Sequence, residues 1–158
     1  MTRIPMTPMG HARLQQELRH HKDVLRYKIV KDIEEARAHG DISENAEFED
    51  AKHRQALNEG RIAELEQKLA AAEVIDITKM TPTERVVFGV TVELEDLDTE
   101  ETVTYQIVGT DEADVKMGRI SVTSPIGRAV VGKMVGDEVT VQAPGGVRRF
   151  SIADVHYR

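Results

Sequence analysis

Residues 25–50 read LRYKIVKDIEEARAHGDISENAEFED, and this stretch decides the fold. Leu25, Ile29, Ile33 and Ala36 recur at gaps of three and four, which puts them on one face of a helix. His39-Gly40 stops that helix, because glycine supplies the left-handed turn on which helices end. Asp41 or Ser43 then serves as the N-cap of a second helix.

Working outward, the first stripe extends back through Leu18 and Leu14 to Thr7-Pro8, an N-cap followed by a helix-start proline. Residues 1–10, MTRIPMTPMG, read as an irregular lead-in. The second helix runs to about residue 75 on a heptad-like stripe at Ile62, Leu65, Leu69 and Ala72. Gly60 interrupts it and marks a slight bend or a close approach. Two helices of about 30 residues, each about 45 Å long and joined by a few residues, must fold back antiparallel. The seam is narrow, so the expectation is a two-stranded coiled coil. Its apolar content falls between residues 37 and 56, leaving the turn to caps and polar contacts.

Beyond Thr81-Pro82 the period changes to two. Val90, Val92 and Leu94 alternate with polar residues, the acidic turn DLDTEE follows, and Val103, Tyr105 and Ile107 alternate again. That is a β-hairpin. Arg119–Thr123 reads as a short strand, Ser124-Pro125 starts a short helix to about Val131, and VTVQA and VRRFSI flank the turn Pro144-Gly145-Gly146. The fold class is therefore α+β. A helical hairpin spans 1–78, a linker 79–84, and a β-rich domain with one short helix 85–158.

Composition excludes several classes. The net charge is −7, from 21 Lys+Arg against 28 Asp+Glu, so a general basic nucleic-acid surface is absent. Residues 1–79 hold 13 and 15 of these (net −2) and residues 80–158 hold 8 and 13 (net −5). With no cysteine there are no disulfides and no thiolate sites. No apolar run follows the first Met, and none approaches the roughly 20 residues that span a bilayer. A cytoplasmic protein is expected, without a membrane partner. An aromatic content of 4% fits a chain that spends much of its length as exposed helix. The six histidines form no HExxH pattern, and Gly127-Arg-Ala-Val-Val-Gly132-Lys133-Met134 misses a P-loop by its last hydroxyl.

The segment Asp41–Asp50 holds five acids and no base at the turn of the hairpin. Asp41 and Glu44, three apart, have the spacing of a capping box, and acids here also suit the helix dipole. The same pair has the chemistry to share a hard cation, since Mg2+ keeps several waters and needs only one or two protein carboxylates. The residues leave both readings open.

GDISENAEFEDAK resembles the tip of the Gre family of transcript cleavage factors, written G-D-[LI]-S-E-N-A-E-[YF]. EGRIAELEQKL, VVFGVTVELEDLDTEETVTYQIVG, ADVKMGRISVTSPIGRAVVGKMVGDEV and APGGV agree in order, so the resemblance covers nearly the whole chain. It implies a partner, bacterial RNA polymerase, whose secondary channel the coiled coil enters. It implies that Asp41 and Glu44 help hold a Mg2+ shared with the polymerase, with Ser43 and Asn45 supporting the tip. The polymerase, not this chain, then cuts the backtracked nascent RNA. Arg37, Lys52 and Arg54 match a basic patch facing the RNA 3′ end; as ordinary helix charges they would instead form surface ion pairs. The second domain would be FKBP-like and dock on the polymerase through Ser124, Pro125, Ile126, Gly127 and Arg128. Such a fold does not by itself carry prolyl isomerase activity. Glu49 and Asp50 add negative charge where many relatives are neutral, which keeps open an alternative: a Gre-like factor that occupies the channel and inhibits. A hairpin that buries its own seam needs no second copy, so the free protein is expected to be monomeric.

Overall fold

The computed structural model describes residues 2–39 and 45–158. The chain divides into two compact units, one holding His11–Ala72 and the other Thr2–Gly10 together with Glu73–Arg158.

The first unit is helical. Helix α1 (Pro8–Arg19) passes through a π-helical turn at His20–Leu25 into α2 (Arg26–Ala38), and α3 (Ala46–Ala71) packs against it. Arg61 pairs with Glu17, Glu59 with Arg26 and Arg54 with Asp32. Position numbers fall along α3 as they rise along the first helix, so the two arms run antiparallel. Leu14, Ile29, Ile33, Ala36, Ile62 and Leu65 are buried, as their stripes require. Leu18, Leu25, Leu69 and Ala72 are half-buried.

Three details differ from the sequence reading. The first helix is not uniformly α. At the π turn the His21 carbonyl accepts from Arg26 N–H and from Asn58 Nδ2 at 3.0 Å, while Asn58 Oδ1 meets His21 Nδ1 at 2.6 Å. Asn58 is only 6% exposed, so its amide needs these partners, and the wide turn presents them. Gly60 makes no close approach: nothing lies within 4 Å of where its Cβ would sit. Helix α3 begins at Ala46 with Asn45 as its N-cap, in place of Asp41 or Ser43, and ends at Ala71.

The second unit is built on a five-stranded sheet in the order β5-β4-β3-β7-β6. Its strands are β3 (Thr91–Asp96), β4 (Thr102–Val108), β5 (Arg119–Ser121), β6 (Glu138–Ala143) and β7 (Gly146–His156). All pairings are antiparallel except β4 with β5. The burial of β3 alternates strictly, which is the period-two signal made physical. Val92 and Leu94 face a core with Ile107, Val141, Phe150 and Ile152, and helix α4 (Pro125–Val130) adds Val130. The register of β3 on β7 slips at Glu93/Leu94, where Glu93 faces Asp154 but Leu94 faces Ile152, leaving Ala153 as the extra residue of a bulge.

The lead-in is ordered, contrary to its reading as irregular. Ile4–Met6 forms β1, which pairs with β2 (Ala72–Val74). Thr7 accepts from Gly10 N–H at 3.1 Å, as its N-cap role requires. The Glu112 carboxylate takes hydrogen bonds from the Thr7 amide, the Thr7 hydroxyl and the Gly109 amide. Glu112 fills the space a side chain on Gly10 would need. Ile77 is buried in the sheet core, and the chain joins this unit from Glu73 onward. Among the described residues no helix is long and apolar enough to cross a membrane.

Candidate functional site

Asp41, Ser43 and Glu44 lie outside the described residues. Their immediate neighbour Asn45 is described, and it ties the two arms together. Its Oδ1 accepts from Phe48 N–H at 3.1 Å, capping α3. Its Nδ2 donates to the Ala36 carbonyl at 2.7 Å, satisfying one of the last acceptors of α2. One side chain thus closes the end of α2 and the start of α3. Phe48 packs on the Ile29–Ile33–Ala51 cluster, and the Arg37 guanidinium lies 5.9 Å from its ring centroid. Glu47 and Glu49 occupy the first turn of α3, where the helix dipole favours anions.

The three basic candidates separate. Arg37 and Lys52 are exposed, and Lys52 donates to Gln55 Oε1. Arg54 bridges Asp32 and Asp50, at 3.0 Å to each. The hydrogen bond to Asp32, then that to Asp50, raises its pKa above the ordinary guanidinium value. A phosphate reaching Arg54 would meet a guanidinium already neutralised by two carboxylates.

The docking candidates fall on α4 and its cap. Ser124 Oγ accepts from Gly127 N–H at 3.1 Å and donates to the Ser121 carbonyl at 2.6 Å. Pro125 occupies the first helical turn, where no N–H is missed. A Cβ on Gly127 would collide with the Ser121 carbonyl, so only glycine lets α4 lie this close to β5. Pro125 and Arg128 are exposed. The helix ends before Gly132-Lys133, whereas a P-loop lysine would open one.

Ser124, Pro125 and Ile126 form one wall of an apolar groove of about 230 Å³. Tyr105, Val115, Ile120, Val141, Ala143, Pro144 and Arg148 complete it. Arg148 is fixed there, 4.7 Å over the Phe150 ring and 3.2 Å from Asp96 Oδ2. Sequence reasoning missed these other walls, because they come from separate strands and turns and share no local pattern. Tyr105 is the sole aromatic lining the groove, a poor match to the aromatic-lined pockets of prolyl isomerases.

Residues 4–74 match the profile "Transcription elongation factor, N-terminal", and residues 81–157 match "Transcription elongation factor, GreA/GreB, C-term". The chain is 55% identical to the transcription elongation factor GreA of Methylococcus capsulatus, over 99% of both chains. The chain belongs to the GreA/GreB family. The GreA of Hyphomonas neptunium is 56% identical over the whole of both chains. Among solved structures, the GreA factor homolog 1 protein of Thermus thermophilus is 31% identical, with 98% of this chain and 99% of that one covered and a TM-score of 0.43. The two family profiles leave residues 75–80 between them, a stretch that already belongs to the sheet unit.

Proposed function

We propose that this protein is a transcription elongation factor that binds RNA polymerase and stimulates the polymerase's own cleavage of backtracked nascent RNA. The observation that carries this reading is the 55% identity to the GreA of Methylococcus capsulatus over 99% of both chains, with GDISENAEF intact at residues 40–48. The chain acts as an accessory factor and not as an enzyme, because its tip supplies only part of a metal site.

Asp41 and Glu44 are the residues that carry the effect. Both offer hard carboxylate oxygens, the donor type Mg2+ takes. Such an ion, shared with the polymerase, would activate water and steady the leaving oxygen. Asn45 acts one step back. It holds the end of α2 to the start of α3. Arg37 and Lys52, exposed on the two arms, are the cations that meet RNA phosphate. Polymerase docking falls to Ser124–Arg128 and the groove that Ser124, Pro125 and Ile126 line. The free factor is a monomer in the cytoplasm.

A cleavage assay on a stalled, backtracked elongation complex with Mg2+ tests the reading. Asp41→Asn and Glu44→Gln should keep polymerase affinity and lose cleavage by about 10²-fold or more, the size of effect a proton-handling or metal-holding carboxylate supplies. Wild-type cleavage by both variants would sink the mechanism. Inhibited synthesis without RNA shortening by the native protein would point to a channel-blocking factor instead.

A further inference from the structure

On the outer face of the sheet, Glu93, Asp154 and His156 bring one carboxylate oxygen each and an imidazole nitrogen within 4.8 Å of one another. The bulge makes this possible. Counting by two from the buried Ile152, Asp154 would point into the core. Because Ala153 is inserted, Val155 takes the inward position against the core, and Asp154 and His156 face outward beside Glu93. Bulges commonly re-aim side chains in this way.

The three groups are also aimed. Asp154 Oδ1 accepts from Val155 N–H at 2.9 Å, which leaves Oδ2 turned to His156 Nε2 at 3.4 Å. Glu93 Oε1 stands 3.7 Å from the same nitrogen. All three atoms are acceptors unless a proton or a cation lies between them. A tetrahedral ion with bonds of about 2.0–2.1 Å holds its ligand atoms roughly 3.3 Å apart, close to the two separations at His156 Nε2. One imidazole with two carboxylates suits a borderline ion such as Zn2+; Mg2+ prefers oxygen alone.

We propose that Glu93, Asp154 and His156 form a surface site for a divalent transition-metal ion of the Zn2+ type, distinct from the tip carboxylates. The protein supplies three ligands and water completes the shell. The hydrogen bond from Val155 N–H orients the Asp154 carboxylate, as outer partners do at metal sites.

The test titrates Zn2+ into the full-length protein and follows the imidazole nitrogens by NMR, with calorimetry on variants. The site predicts a saturable shift of His156 Nε2 at one ion per chain. It also predicts that His156→Gln and Asp154→Asn each weaken that binding step by about 10-fold or more. A double variant His20→Gln/His21→Gln, on the hairpin, should leave it intact. If His156 does not respond to Zn2+ in the native chain, the cluster is an ion pair only and the proposal fails. It fails equally if the affinity is unchanged in both site variants. The NMR signal is read on unaltered protein, so a variant that misfolds cannot mimic or mask the native response.

Discussion

The two units solve the problem of staying folded in opposite ways. The sheet unit closes twelve buried residues around Phe150 and Leu94 into one cluster. The tip half of the hairpin has Ile29, Ile33 and Ala51, with Phe48 against them, and then relies on side-chain links between the arms. Exposed ion pairs such as Arg26–Glu59 contribute little each, so the hairpin gains direction from them more than stability. A thin rod has little inside to bury. The difference teaches where each kind of residue matters: apolar volume in the sheet unit, caps and amide bridges in the rod.

The comparison is broken most directly at Phe150. Phe150→Ala should cost about 3–5 kcal/mol in the sheet unit. Urea unfolding should show its β transition moving down while the helical signal keeps its own midpoint. A single shared midpoint would mean the units are coupled. Leu65→Ala, fully buried in the thinner seam, should cost about 2 kcal/mol and move the helical transition alone. Asn45→Ala should cost about 1 kcal/mol, the value of an N-cap, and should reduce RNA cleavage while polymerase binding persists.

A smaller effect is expected at Asp96, which closes the β3–β4 turn. Amide donation from Asp98, supported by Arg148 and Thr99, outweighs partial desolvation and holds its carboxyl below the usual range. A carboxyl whose folded value lies below its unfolded value of about 3.9 stabilises the fold above that pH. The contribution is lost as pH falls through the folded value. Asp96→Asn should therefore flatten the acid limb of a Tm-against-pH curve and lower its plateau. The smallest effect is Arg54→Gln, which removes two solvent-accessible ion pairs and should move the unfolding midpoint little.

Local signals carried much of this into the sequence. The stripes from Leu14 to Ile33, the alternation of Thr91–Asp96 and the Ser124-Pro125 cap each depend on neighbours within a few residues, and each appears where expected. What was hidden depends on partners far along the chain. The π turn answers Asn58, 37 residues away; β1 needs Ala72–Val74; the bulge exists only once β3 and β7 are in register. The cap of the second helix was misread for a different reason. Asp41, Ser43 and Asn45 are all good caps, and the choice of Asn45 follows from its second bond to Ala36, on the other arm. At the tip, the acids Asp41 and Glu44 were legible as a chemical type, while their role came from the family pattern and not from spacing.

The wide turn at His20–Leu25 also sets rotary phase. An α-helix advances about 100° per residue, so a single wide loop that takes up one extra residue spares everything after it a swing of that size. Removing one residue there should restore plain α winding and leave Arg26–Ala38 in nearly the same phase against Pro8–Arg19, whereas removing one from a regular α turn should rotate them by about 100°. In that second case the seam residues Ile29 and Ile33 would leave the groove of their partner helix while keeping full local helicity. A one-residue change in length is therefore tolerable at this turn and costly in the regular α stretches on either side.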